Sequence, residues 1–321
     1  AARIVARDKR LHAVYMGNFR CGPDSFLAHF VHEEMAGKPY LELEIDEHSA
    51  DAGMITRYEA FLDSLKGSKS IEKRKVVSIK PGIMTSVPMK DRTLYFPYMS
   101  DSAYAIAAAS RACGIHAEVL PMQNAEDIEL GRKYTNGQEC FPFICTLGSF
   151  LRKLQDPKVD PSKVSFFMPN HTGPCRFGEY NKLHRLVFDK LGYHEAEIVR
   201  PSNEDAYASI APGESMKWRK NCWKGLVAGD LIRKMLEQTR PYEVDEGTTN
   251  KVYQEYLQKT IKSVEEGCND LNKVLAETAR SFKAIPVENV GRKPVVSIVG
   301  EVFMRDNPYS SNYLVERMEK L

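Results

Sequence analysis

Three cysteines stand where a predicted strand hands over to a predicted helix. Cys21 lies in Gly17-Asn18-Phe19-Arg20-Cys21-Gly22-Pro23-Asp24-Ser25, Cys140 in Gly137-Gln138-Glu139-Cys140-Phe141-Pro142, and Cys175 in Thr172-Gly173-Pro174-Cys175-Arg176-Phe177-Gly178. A helix N-terminus offers unpaired N–H groups and partial positive charge, which favour a thiolate or a bound anion. Three such positions, each with Gly and Pro nearby, point to several helix ends converging on one anionic object. An iron–sulfur cluster is such an object, held by thiolates and negatively charged. Cysteine is also among the most buried residue types, so the same three residues read equally as packed free thiols.

Other residues join or compete with this set. Cys145 follows Cys140 by five positions, a looser spacing than the tight Cys-x₂-Cys run of small ferredoxins, and reads as a fourth ligand or a core residue. The two close cysteine pairs usual for zinc are not present. Arg176 directly follows Cys175, with Tyr180 one turn on. These groups suit hydrogen bonding to cluster sulfur or to a substrate anion. Cys113, Cys222 and Cys268 fall inside predicted helices among apolar neighbours, where packing explains them. Asp46-Glu47-His48-Ser49-Ala50-Asp51 carries metal-binding residue types, but helix capping and an acidic first turn account for it better.

The elements that would position these residues alternate. Residues 11–17 predict a strand, 24–35 a helix, 40–45 a strand, and 49–65 a helix with Ile55, Tyr58, Phe61, Leu62 and Leu65 on one stripe. Residues 66–75 read as a charged, solvated linker. A second series follows: strand 93–97, alanine-rich helix 101–113 closed by Gly114, strand 117–120, helix 138–154, strand 164–168, and helix 175–191 closed by Gly192. Strand–helix alternation implies parallel sheets flanked by helices, in Rossmann-like or flavodoxin-like lobes. Such sheets bind ligands beyond the carboxyl ends of their strands. The chain then turns helical, with 217–238 and 250–282 as single long helices, the latter striped by Tyr253, Tyr256, Leu257, Ile261, Val264, Cys268, Leu271, Leu275 and Phe282. Residues 286–294 read as a linker, 295–299 as a strand and 312–321 as a helix. The expected organisation is a partial α/β lobe over 1–90, an α/β lobe with a helical extension over 91–290, and an incomplete third lobe over 291–321. Both ends read as unfinished, with a strand expected at once after Ala1, so a fragment of a longer polypeptide is expected.

Bulk properties narrow the class. The chain has 321 residues, 43% hydrophobic and 27% charged, with net charge +2. These values describe a soluble globular chain, and near-balance in charge gives no case for nucleic acid or an anionic membrane. No apolar run reaches the roughly 20 residues that span a bilayer. Seven scattered cysteines fit reduced thiols in a cytoplasm better than a secreted disulfide framework. No Gly-x-Gly-x-x-Gly, Walker loop, Gly-x-Ser-x-Gly or His-Glu-x-x-His motif occurs, so any ATP chemistry belongs to a partner domain.

Several of these stretches resemble one family. They are Cys21-Gly22-Pro23-Asp24-Ser25-Phe26, Glu44-Ile45-Asp46-Glu47-His48-Ser49-Ala50-Asp51-Ala52-Gly53, Tyr95-Phe96-Pro97-Tyr98-Met99-Ser100-Asp101, Gly137-Gln138-Glu139-Cys140, Met168-Pro169 with Gly173-Pro174-Cys175-Arg176-Phe177-Gly178-Glu179-Tyr180, and Gly300-Glu301-Val302-Phe303-Met304-Arg305-Asp306-Asn307-Pro308. The set resembles the large acyl-CoA dehydratase activases and activase-related proteins, kin of the 2-hydroxyacyl-CoA dehydratases and double-cubane cluster reductases. It covers nearly the whole chain, which would correspond to the downstream cluster-domain portion. The resemblance implies a [4Fe-4S] or larger double-cubane cluster on Cys21, Cys140 and Cys175. The fourth ligand stays open between Cys145, water, hydroxide, substrate and a partner's cysteine. Arg176 would act beside the cluster. An ATP-hydrolysing activase domain or subunit would donate low-potential electrons. The substrate would be an acyl-CoA or another small molecule, reduced or dehydrated by radical chemistry under anaerobic conditions, and a homodimer is compatible with this reading. The rivals are a cluster-free interaction module that binds partner domains through its long helices, and a zinc site on the same cysteines.

Overall fold

The computed structural model describes residues 2–17, 24–35, 37–44, 51–67, 91–202, 204, 206–293, 296, 298 and 301–320. The chain folds as two compact units that cut across the three consecutive lobes expected. Unit 1 comprises Ala1–Met84, Tyr134–Phe143 and Asn170–His194, and unit 2 comprises Thr85–Lys133, Ile144–Pro169 and Glu195–Leu321. Both are α/β, with parallel strands and flanking helices.

Unit 1 begins with helix α1 (Ala2–Arg7), where a strand was expected. The helix closes on a cation: Lys38 Nζ donates to the carbonyls of Val5 and Asp8, both at 2.7 Å. A positive charge at a helix C-terminus satisfies its orphan carbonyls. Strand β1 (Val14–Gly17) pairs in parallel with β2 (Leu41–Glu44), with Val14 opposite Leu41, and α2 (Asp24–Met35) connects them. Helix α3 (Asp51–Gly67) follows, but its expected core stripe is turned outward, with Ile55, Tyr58 and Leu62 exposed.

Unit 2 is built on a four-stranded parallel sheet in the order β4-β3-β5-β6, from β3 (Thr93–Phe96), β4 (Ala117–Val119), β5 (Val164–Phe167) and β6 (Glu197–Val199). The chain leaves β3 through α4 (Ser102–Arg111) to one edge, then crosses back through α5 (Ala125–Lys133) and α6 (Phe141–Gln155) to β5. That reversal is the topological switch at which open parallel sheets form ligand crevices. Helix α5 and strand β6 were not expected. Ile128 is the only large apolar side chain buried on α5, so its periodicity is weak. Its start is instead fixed by reciprocal capping: Asp127 N donates to Asn124 Oδ1 and Asn124 N to Asp127 Oδ2, both at 3.0 Å.

From β5 the chain passes through a short 3₁₀ turn, Arg176–Glu179, into α7 (Tyr180–Lys190). The predicted 175–191 helix is therefore α-helical only from Tyr180. Beyond β6, α8 (Ser215–Thr239) packs with α9 (Thr248–Glu265) and α10 (Leu271–Lys283) around Trp218, Ile232, Leu257, Val264 and Phe282. The single helix expected over 250–282 is broken because Gly267 and Cys268 are left-handed, at φ +91° and +64°.

The described part of residues 291–321 belongs to unit 2. Helices α11 (Val302–Asp306) and α12 (Leu314–Glu319) flank Asn307, which is fully buried and donates to Gln123 Oε1 at 2.8 Å and to the Tyr98 carbonyl at 3.4 Å. Arg233 pairs with Asp306 at 3.2 Å, and Arg240 grips Glu319 with two nitrogens at 2.6 and 3.1 Å. These polar contacts account for its attachment. The strand expected at 295–299 lies mostly outside the described residues. No helix among the described residues is long and apolar enough to cross a membrane.

Candidate functional site

Unit 1 gathers the starts of three helices. Phe26 is the third residue of α2, Phe143 the third of α6, and Tyr180 the first of α7. All three rings are buried. Phe26 stacks on Tyr180 with centroids 5.4 Å apart and planes at 18°, and Phe143 meets each of them edge-on at 5.3 Å. Aromatic pairs at these separations favour stacked and edge-to-face geometry. The trio thus fixes the first turns of the three helices that the chosen cysteines precede.

Cys140 immediately precedes α6, and its carbonyl accepts the Phe143 amide at 2.9 Å. Its side chain is half-buried. Cys175 has extended backbone, φ −70° and ψ 131°, at the head of the 3₁₀ turn, and is exposed. Cys21 lies outside the described residues, as do residues 45–50 of the acidic stretch. Among the described residues no three His, Cys, Asp or Glu side chains form a metal-binding group. The two described cysteines fit an iron–sulfur centre by chemistry and setting: soft sulfur donors, open at helix starts, in one compact unit.

The loops carrying them are tied together. Arg176 Nη1 donates to the Gln138 carbonyl at 3.1 Å. Arg176 is thereby placed as a brace between the Cys175 and Cys140 loops. Gln138 Nε2 in turn donates to Glu42 Oε1 on β2 at 3.2 Å. Two glycines make the loops possible. Gly137 sits at φ +84°, a left-handed conformation that suits glycine. A side chain on Gly178 would put its Cβ 2.2 Å from the His171 carbonyl oxygen.

Glu139 organises the loop before Cys140. Its carboxylate accepts the amides of Asn136 at 3.2 Å, Gly137 at 3.1 Å and Gln138 at 3.0 Å, and contacts His29 Nε2 on α2. Burial acts to raise its pKa, but the His29 hydrogen bond and the backbone amides outweigh this and hold it below the ordinary carboxylate value. Glu139, His29, Phe26 and Phe143 were assigned no role from sequence, and Tyr180, expected as a hydrogen-bonding group, is buried with its ring in the trio. The available signal was a glutamate next to Cys140, two residues beyond a glycine able to turn the chain left-handed.

The remaining described cysteines are more deeply packed or carry raised thiol pKa values. Cys145 belongs to unit 2, where it is fully buried, with Sγ 3.9 Å from Ser310 Oγ. Burial pushes its thiol up to about 12, so that in the metal-free protein it is a packed neutral thiol. Burial also raises Cys113, Cys222 and Cys268.

Unit 2 holds a separate cleft of about 280 Å³ near the carboxyl end of β3. At its wall Asp101 accepts the phenol protons of Tyr98 at 2.9 Å and Tyr253 at 2.6 Å. Its arginines Arg233 and Arg240 are already ion-paired.

No family model, no curated protein and no solved structure matches this chain.

Proposed function

We propose that this chain is an iron–sulfur redox protein whose cluster is held by Cys140 and Cys175, with Cys21 as the third thiolate expected from sequence. The observation that carries the reading is the Phe26–Phe143–Tyr180 cluster, which brings together the starts of α2, α6 and α7, each preceded by one of these cysteines. When bound, the cluster would supply one-electron transfer at low potential. The protein's own groups then have distinct tasks. Cys140 and Cys175 supply sulfur from the mouths of two helices. Arg176 holds one loop to the other. Phe26, Phe143 and Tyr180 hold the first turns of the three helices together. Cys145 is left to packing.

In this reading an ATP-hydrolysing activase domain or subunit delivers the electron, and the reaction is a difficult reduction or a radical dehydration of the 2-hydroxyacyl-CoA type. The enzyme class is an ATP-dependent iron–sulfur reductase or a dehydratase-like lyase. The resemblance in sequence supports this half of the proposal. The deciding experiment is electron paramagnetic resonance on anaerobically reconstituted protein reduced with dithionite. A half-integer spin signal, with a broad visible absorbance that bleaches on reduction, supports the reading. Bound zinc without colour would replace it with a structural metal site.

A second reading, an interaction module without a cluster, is favoured by the outer face of α8. Trp223 there is 70% exposed, with Val227 and Leu231 exposed at successive turns. It predicts protein that stays free of iron after reconstitution yet keeps its fold.

A further inference from the structure

The carboxylate of Glu139 occupies an unusual place. Its side chain has no exposed surface, and three consecutive amides, from Asn136, Gly137 and Gln138, converge on it. Successive N–H groups around a left-handed residue form a concave nest that binds anions. Here the nest is filled by a side chain of the same loop, one residue from Cys140. His29 closes the carboxylate from α2, and Arg176 braces the loop from the Cys175 side through the Gln138 carbonyl.

We propose that Glu139 is a positioning residue that presets the Cys140 loop and holds the potential of the centre bound there low. The proposal rests on the cluster reading above. Two consequences of the geometry carry it. The loop's shape is specified by the carboxylate, so the backbone of Cys140 is in place before any cluster arrives. The same three amides are committed to Glu139 and are not donors to cluster sulfur, while a buried negative charge stands beside the ligand. Hydrogen bonds to sulfur and the local net charge are the main protein levers on cluster potential. Withholding donors and adding negative charge both disfavour the reduced cluster.

Two variants of the full chain separate shape from charge. Glu139→Gln keeps size and loses charge, whereas Glu139→Asp keeps charge on a shorter arm. Amide hydrogen exchange of residues 136–138, measured on metal-free protein, is expected to quicken in Glu139→Gln, with Glu139→Asp between it and the wild type. A redox titration of the reconstituted proteins, followed by visible absorbance, is expected to give a more positive midpoint for Glu139→Gln at an iron content equal to wild type. Glu139→Asp should titrate closer to wild type than Glu139→Gln does. Wild-type exchange in Glu139→Gln would overturn the positioning role, and a wild-type midpoint would overturn the role in potential. Should Glu139→Gln hold no iron, the midpoint of Glu139→Asp decides the latter: a value close to wild type supports it, and a clearly more positive one, with the charge retained, overturns it. Wild-type protein that takes up no iron and sulfide would sink the cluster reading and the claim on potential together, while the exchange measurement would still judge the loop.

Discussion

Unit 1 and unit 2 use cysteine in opposite ways. In unit 1, Cys140 and Cys175 stand at the heads of helical segments, half-buried and exposed, in loops braced by Arg176 and Glu139. In unit 2, Cys145, Cys222 and Cys268 are buried and Cys113 is half-buried, and burial raises the pKa of all four thiols. Cysteine chemistry is thus set by the backbone that presents it. A loop that leaves sulfur open at a helix mouth can make a ligand, and a packed position makes a small apolar filler.

The largest effect expected of this contrast is in reactivity. Of Cys140, Cys145, Cys175 and Cys222 in metal-free, folded protein, an alkylating reagent should modify Cys175 first and Cys140 next. Cys145 and Cys222 should react only after denaturant is added. Peptide mapping by mass spectrometry reads the order, and early modification of Cys222 would erase the distinction between the units.

A backbone clash comes next. Gly178→Ala sets a methyl against the His171 carbonyl, 2.2 Å from the Cβ position, in the loop that presents Cys175. Overpacking of this kind costs about 1–3 kcal/mol. A denaturant midpoint unchanged from wild type would show that the loop relaxes freely.

The pH dependence of unit 1 supplies a smaller effect. His184 on α7 is fully buried, its ring 4.6 Å from Phe143, and burial depresses its pKa from 6.5 to about 3. The unfolded chain therefore binds the proton that the folded chain refuses. Stability is complete above about pH 6.5 and falls as pH drops from there toward about 3, by at most about 1.4 kcal/mol per pH unit from this residue. His184→Leu should flatten that slope in urea titrations at pH 7 and pH 5. An equally steep decline in the variant would assign the loss to other groups.

The mildest perturbation belongs to unit 2. Trp218 Nε1 donates to Ser110 Oγ at 2.9 Å within its core. Trp218→Phe should cost about 0.5–1.5 kcal/mol, since it removes one neutral hydrogen bond while the Ser110 hydroxyl still donates to the Ile106 carbonyl, and should leave iron content untouched. A loss of iron in that variant would mean that the cofactor depends on unit 2 as well.

Legibility in the sequence followed the physics of each element. Strong periodicity and punctuation gave α2, β3, α4 and β5 nearly to the residue, and Gly114 and Gly192 took the left-handed helix ends expected of them. Helix α1 was missed because a tertiary contact, Lys38 on its last carbonyls, completes a segment too short to declare itself. Helix α5 was missed because its start is written in the Asn124–Asp127 capping pair rather than in apolar spacing. The interleaving of the two units was not legible, since hydrophobic pattern says which face is buried but not against which distant partner. For the site, helix-start positions for Cys140 and Cys175 were readable from the adjoining Gly and Pro. The Phe26–Phe143–Tyr180 cluster joins residues far apart in sequence, and only the fold brings it together.

The most direct measurement is iron and acid-labile sulfide content in anaerobically reconstituted wild-type, Cys140→Ser, Cys175→Ser and Cys222→Ser proteins, each checked for folding by circular dichroism. The account predicts iron and sulfide in near-equal amounts in wild type and Cys222→Ser, and their loss in Cys140→Ser and Cys175→Ser. Folded Cys140→Ser and Cys175→Ser proteins that keep wild-type iron and sulfide would contradict it.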